Sequence, residues 1–414
     1  MFEIIRAKHA AWPDKRSAQR VVHVLYLCAL VVYVIWFGLS VTNASKAPAL
    51  EALVSFFNAA IKGYFVFFLF CIFLSDAFLN RISTRKLIFG VIAIVLLQNV
   101  LSNIYTSETQ KCVFQFFVWI LLAYPRYLEP RRALTVIWIT GAVFAGVVIA
   151  LSVIGIVPNA EIKKSSAIVA NSFGFRGLSV ESLFLCSLIM TWVYCKSRSW
   201  NWLRASIAVV LIGAVFLVTG SRVNMALGIF QVIVTCLLGQ GAKWAWVRGV
   251  LTRALGKLGT WILPVFALLC LLLVGLLSWT DAAPLKVINK IMGGGIESGA
   301  AFFGEYGYPL FCERIERLSH LDNTFIYVVM SCGLVCLVCL VVLYWRFAQF
   351  VERQPDPYMS LLIVLIAVHM LFDPIMFLPV YNPVLIAIGA FIAMGPRLSE
   401  TKENEARQKV RNLT

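Results

Sequence analysis

Runs of about 20 predominantly apolar residues recur along this chain from residue 21 to residue 395, and no other feature restricts its fold so strongly. Each run is long enough to cross about 30 Å of hydrocarbon as a helix. Open sheets cannot do this, because lipid offers no partner to their edge N–H and C=O groups. Hydrophobic residues make up 61% of the chain and charged residues 14%, whereas soluble domains carry roughly 45–50% and about 25%. The pattern predicts spans at 21–41, 53–79, 87–104, 112–128, 133–157, 177–195, 202–219, 222–239, 257–279, 323–345, 358–373 and 376–395. The expected fold class is therefore an all-α integral membrane protein with about twelve transmembrane helices, a single polytopic unit over 1–414. The first run is 21 residues long, against about 7–15 for a cleaved signal core, so it is read as a retained anchor.

Orientation follows from the basic residues. With the N-terminus placed in the cytoplasm and sides alternating at each span, 25 of the 36 Lys and Arg fall in cytoplasmic segments. That bias is the positive-inside signature, and it predicts both termini in the cytoplasm. The net charge of +16 then reads as topology and as contact with anionic membrane lipids, not as nucleic-acid binding. Cys332, Cys336 and Cys339 follow an i, i+4, i+7 spacing that predicts one shared helical face of small packing residues.

The longest expected non-membrane segment is 280–322, between spans nine and ten and on the exterior. Its start, Pro284 to Met292, suits a short interfacial helix. Six glycines fall between 293 and 307, which predicts an unpacked stretch. From Phe311 to His320 the pattern is amphipathic, with Arg314, Arg317, His320 and Asp322 gathered where the chain re-enters the membrane.

Polar residues within spans cost several kcal/mol unless paired or hydrated. Lys62, Gln98, Asn99, Glu181, Arg222, Asn224, His369 and Asp373 are expected mainly in the outer half of the bilayer, where they would form a cavity open to the exterior; the cytoplasmic half is expected to be poorer in such groups. The chain has no Walker A loop, zinc-type His-Glu-x-x-His, Gly-x-Ser-x-Gly elbow or Asp-x-Asp pair, so no metal and no cofactor are expected. What remains is a set of arginines with a carboxylate or histidine. Such a set suits a phosphate-bearing substrate, because a guanidinium grips phosphate oxygens with two parallel donors.

Asn171 to Glu181 (Asn-Ser-Phe-Gly-Phe-Arg-Gly-Leu-Ser-Val-Glu) precedes the sixth span, Thr219-Gly220-Ser221-Arg222 forms an outward turn, and Asp322-Asn323 is followed after nine residues by Gly333. With the twelve-span plan, these motifs resemble the O-antigen polymerase and ligase superfamily of bacterial inner membranes. The resemblance implies a metal-independent glycosyltransferase of GT-C-like, membrane-embedded architecture, acting at the periplasmic face. Its donor and acceptor would be oligosaccharides on polyprenyl diphosphate, with a chain-length regulator protein as a further partner. Arg176 and Arg222 match the arginines expected to hold the diphosphate, and Arg314, Arg317 and Lys62 are further candidates for it. His320, Asp322 and Glu181 are the candidates for the base that takes the acceptor proton.

Ligases of this superfamily carry a histidine next to the Asn, where this chain has Asp322. That departure favours the polymerase, which joins repeat units, over the ligase, which moves finished polymer onto lipid A core. A flippase or transporter is the third reading. It predicts inverted repeats and polar groups at every membrane depth.

Overall fold

The computed structural model describes residues 15–80, 82–102, 108–159, 161–165, 168–239, 245–280, 285, 287, 289, 295–311, 322–354 and 356–394. Among them, nine helices are long and apolar enough to cross a membrane. These are α1 (Lys15–Val41), α2 (Glu51–Asn80), α3 (Thr84–Ser102), α5 (Pro130–Val153), α6 (Leu178–Lys196), α7 (Trp202–Thr219), α8 (Arg222–Gly239), α9 (Ala245–Trp279) and α12 (Leu334–Arg353). Five shorter helices complete the set: α4 (Glu108–Leu122), α10 (Gly295–Tyr306), α11 (Thr324–Cys332), α13 (Pro357–His369) and α14 (Val384–Ala393). Strands β1 (Glu161–Ser165) and β2 (Ile168–Asn171) pair antiparallel as a hairpin between α5 and α6, an element that the apolar pattern did not anticipate.

The long helices are two-faced in a way that water would not tolerate. α2 buries Val54, Ile61, Phe65, Leu69 and Ile72 at intervals of a helical turn or two. Its other side turns out Phe56, Tyr64, Phe67 and Phe78, which are 65–74% exposed. Exposed apolar surface of that extent calls for lipid around the bundle. α13 and α14, by contrast, are apolar all round and almost wholly buried. α13 packs on α6, α8, α9, α12 and α14, and α14 on α3, α4 and α5 as well. Short core helices thus sit inside a sleeve of long ones.

This arrangement corrects two expected spans. The apolar runs 358–373 and 376–395 become helices of only 13 and 10 residues, separated by the irregular stretch 370–383. Pro374, Pro379 and Pro383 fall in that stretch, and proline interrupts helices by removing a donor and crowding the preceding turn. Irregular backbone at membrane depth is tolerated only where protein satisfies it, and α11 does so. Thr324 N donates to Met370 O at 2.9 Å, Ile375 N donates to Thr324 Oγ1 at 2.9 Å, and Asn323 Nδ2 donates to Leu371 O at 3.1 Å.

The tenth expected span, 323–345, is broken at Gly333, whose φ of +90° separates α11 from α12. The segment before it wedges into the break, with Leu334 N donating to Pro309 O at 2.7 Å and Val335 N to Leu310 O at 3.1 Å. The break also falls between Cys332 and Cys336, so the three cysteines do not share one continuous helix.

The glycine-rich stretch is corrected too. Instead of an unpacked connector, residues 295–306 form α10, which buries Gly295, Ile296, Gly299 and Ala300 against α9 and α11. A Cβ on Gly299 would lie 2.7 Å from Ile326 Cγ2. Small residues four apart let two backbones approach closely, the usual route to helix packing in lipid. Positions 285, 287 and 289 are helical, within the expected interfacial helix, and Asn289 Nδ2 donates to Glu297 Oε2 at 2.8 Å.

Each end of the bundle has its own polar character. We call the end where α6 and α8 begin the upper end. At the lower end, Lys86 Nζ lies 2.9 Å from Asp76 Oδ2, with both side chains at most 5% exposed. Asn80 Nδ2 donates to Asp76 Oδ1 at 2.9 Å, and Arg126 Nη1 to Asn80 O at 2.8 Å. Arg131 stacks 4.7 Å over Tyr194 and approaches Asp356 at 3.8 Å. The expected poverty of polar groups in this half is therefore overturned: they are present, and they pair with one another.

Candidate functional site

Three residues singled out from the sequence, Arg176, Glu181 and Arg222, belong to two adjacent helix starts at the upper end. Arg176 stands on the turn before α6. Phe173 and Gly174 take positive φ values of 41° and 85°, and this reverses the chain so that it lies along the end of α1. There Asn43 N donates to Gly174 O at 2.7 Å and Arg176 N to Val41 O at 3.1 Å. The Asn43 side chain donates to Phe175 O at 2.9 Å and to Pro158 O at 3.2 Å. Arg176 itself is exposed, its Nε donating to Thr42 O at 3.3 Å. Asn43 was missed in the sequence because it sits in a short polar connector. Its only signal was an amide in the chain Thr-Asn-Ala-Ser-Lys directly after an apolar run.

Glu181, in the first turn of α6, is 2% exposed, and its Oε2 has no hydrogen-bond partner among the described residues. The next residue, Ser182, accepts a 2.7 Å hydrogen bond from Asn224 Nδ2. That bond ties the start of α6 to the start of α8, where Arg222 is the first helical residue and is exposed. Gly220, with φ +71°, closes α7 as a left-handed cap and makes the sharp Thr219–Arg222 turn possible. Two helix N-termini, each the positive end of a dipole, therefore lie side by side, one carrying Glu181 in its first turn and each with one arginine.

A second group lies at the same end. Asp322 is exposed immediately before Asn323. Asn323 Oδ1 caps α11 by accepting from Phe325 N at 3.0 Å and Ile326 N at 3.2 Å, while its Nδ2 contacts Cys270 Sγ at 3.4 Å. His369 is fully buried at the end of α13, with Nε2 3.2 Å from Asp373 Oδ2. The two are near enough for an ion pair but not aligned for a hydrogen bond, and neither ring nitrogen has a hydrogen-bond partner among the described residues.

An aromatic cluster joins the two groups. Phe184 of α6 packs 5.7 Å from Phe175, beside Arg176, and 6.4 Å from Tyr381, on the loop that follows Asp373. Tyr381 in turn meets Phe37 edge-on at 4.9 Å. Each such ring pair contributes about 0.5–1.5 kcal/mol beyond its buried area, so the cluster fixes the Arg176 turn against the loop that carries Asp373.

The remaining sequence candidates stand apart. Lys62 is exposed on α2 and makes no hydrogen bond or ion pair among the described residues. Gln98 is exposed on α3, its Nε2 donating to Ser102 Oγ at 3.3 Å. Arg314, Arg317 and His320 lie outside the described residues. Chemically, the upper end offers two exposed guanidiniums, one at each helix start, and a buried carboxyl whose Oε2 has no partner among the described residues. Comparisons with protein families, with characterised proteins and with solved structures give no match to this chain.

Proposed function

We propose that this protein is a membrane-embedded glycosyltransferase that joins oligosaccharide repeat units carried on polyprenyl diphosphate, as an O-antigen or related surface-polysaccharide polymerase. In this reading it spans the inner membrane of a bacterium about twelve times in a GT-C-like plan. The termini are cytoplasmic, and the upper end faces the periplasm. The observation that carries the reading is the placement of Arg176 and Arg222 at two adjacent helix starts, one of which carries the buried Glu181 with its Oε2 unpartnered among the described residues. Diphosphate is the leaving group in such a transfer, so negative charge grows on it as the glycosidic bond breaks. Fixed cationic donors stabilise that charge most when they are positioned beforehand. The acceptor hydroxyl loses its proton to a carboxylate, with Glu181 and Asp322 as the candidates among the described residues and His320 beyond them. No metal or cofactor enters the scheme, and a chain-length regulator is the expected protein partner.

Removing the protein from its host tests the proposal. A polymerase leaves ligation intact, so lipopolysaccharide should carry core with at most one repeat unit and lose its ladder of longer bands. Bare core with polymer stored on the lipid carrier would instead identify a ligase. Unprocessed units accumulating at the cytoplasmic face would identify a flippase.

A further inference from the structure

A groove of about 700 Å³ opens on the side of the bundle, at a distance along the chain from every residue of the proposed glycosyl-transfer site. α3 and α12, which run antiparallel, form its walls, and α4 and α14 form its floor with Phe117 and Phe391. Along α12, Val338, Cys339 and Val342 line the groove, followed on the same face by Arg346, Gln349 and Arg353. On α3 the same order holds in reverse: Arg85 comes first, at the lower end, then Ile88 and Ile92. Both walls are therefore apolar toward the middle of the membrane and cationic at the lower end. Ten residues separate Arg346 from Cys336, the apolar end of the α12 lining, which is about 15 Å of helix, or one leaflet of a hydrocarbon core about 30 Å thick.

The three arginines differ from Lys86 and Arg131 of the same end. Lys86 is paired with Asp76 and Arg131 lies beside Asp356. Arg85, Arg346 and Arg353 make no ion pair among the described residues. Arg85 rests 4.6 Å over the Phe391 ring and Arg346 5.1 Å over the Trp345 ring. The carboxylate closest in sequence, Glu352, is turned to α9, where it accepts from Thr260 Oγ1 at 2.8 Å. The rim is open to the side, with Ile88 and Val338 each 53% exposed.

We infer that this groove is a binding site for an anionic phospholipid of the leaflet at the lower end. Its phosphate lies among Arg85, Arg346 and Arg353, and an acyl chain fills the apolar channel along α12. Arginine forks match phosphate oxygens, and basic pockets between transmembrane helices are a recurrent form of anionic-lipid site. The volume is within the range of about 300–1,000 Å³ usual for ligand pockets. A free phosphate would leave the apolar channel uncovered, and a zwitterionic lipid would leave three guanidinium charges less fully compensated. A lipid seated there ties α12 to α3 across a gap that α12 does not itself close.

Native mass spectrometry of the full chain, exchanged into equal amounts of phosphatidylglycerol and phosphatidylcholine, decides the matter. Phosphatidylglycerol should survive on the protein under activation that strips phosphatidylcholine, at an excess of tenfold or more. Arg346→Gln with Arg353→Gln should abolish that excess. Cys339→Trp, which fills the channel and leaves the arginines in place, should abolish it as well. Phosphatidylglycerol should raise the melting temperature of the native chain by several degrees and leave that of the folded variants unchanged. Equal retention of the two lipids by the native chain overturns the proposal even where the variants fail to fold. So does stabilisation by inorganic phosphate equal to that by phosphatidylglycerol, or a protein dimer that the same substitutions dissolve.

Discussion

Buried charge is handled in opposite ways at the two ends of this molecule. Asp76 and Lys86 satisfy each other, with Asn80 and the Tyr124 carbonyl completing the set. Glu181 is buried to the same degree but leaves Oε2 without a partner among the described residues. An unmade hydrogen bond of that kind costs about 1–3 kcal/mol, and a protein that tolerates it at a helix start has placed a group there for something other than stability. If Arg176 and Arg222 hold a diphosphate, Arg222→Lys should lower polymer formation about 100–1,000-fold with the protein still folded and inserted. Lysine keeps the charge but loses the two-pronged grip, and losing one positioned donor to a developing anion costs about 2.7–4 kcal/mol. Glu181→Gln, nearly the same in shape, should also lower turnover while leaving the melting temperature within a few degrees. Polymer made at native rates by Arg222→Lys at native expression would reduce the arginine to an anchor. In the Asp-Asn-x9-Gly motif, Asn323 and Gly333 are accounted for by folding, one as a helix cap and the other as a break, and Asp322 stands exposed just before the cap.

Helices show most clearly what a linear pattern reveals and what it conceals. Eight of the nine long helices, all but α12, were legible because lipid demands an uninterrupted apolar run, and that demand is written residue by residue. Breaks inside the protein were not legible. From Leu371 to Tyr381 the chain stays largely apolar, so it reads as membrane although α11 satisfies it as irregular backbone. Lys86 reads as a loop charge because it lies next to a span boundary, and only the fold brings Asp76 to it. The candidate site was half legible: Arg176, Glu181 and Arg222 stand in recognisable turns, but Asn43 and Tyr381 reach them from distant segments. Glycines in helices mislead in the same way, since a residue that weakens an isolated helix permits close packing of two. This reading separates three substitutions. Gly333→Ala combines a positive φ, costing about 1–3 kcal/mol, with a collision, because its Cβ would lie 2.5 Å from Phe311 Cα. It should be the most damaging of the three. Gly299→Ala meets the Ile326 side chain and should cost about 1–3 kcal/mol by overpacking. Gly304→Ala has open space around it and should be neutral or stabilise α10 by about 0.5–1 kcal/mol. Melting temperatures of the purified variants in detergent would check the order, and a Gly333→Ala protein as stable as the parent would contradict it.

At the scale of the whole molecule, the two ends differ in chemistry, and the proposed function depends on which side each one faces. The cationic lower end and the 25 basic residues assigned to that side predict that it lies in the cytoplasm, with Arg176 and Arg222 outside. Impermeant thiol reagents can test this, provided the reporters are accessible in the fold. Ser83 and Ser197 lie in lower-end loops but are 7% and 2% exposed, so cysteines there would stay unlabelled on either side. Ser199 and Gln354 are exposed at the lower end, and Lys46 and Ile156 at the upper. In a background with the native cysteines removed, Lys46→Cys and Ile156→Cys should react in intact cells. Ser199→Cys and Gln354→Cys should react only after the membrane is opened. The reverse pattern would put the arginines of the upper end in the cytoplasm. A polymerase working on exported sugars would then be excluded, while the packing of the helices would stand unchanged. Labelling of all four from outside would signal a mixture of orientations, and the basic asymmetry would have failed to set topology. The expected result leaves the upper end as the one face where a lipid diphosphate, held by its tail in the membrane, could meet both arginines at the helix starts that carry Glu181 and Asn224.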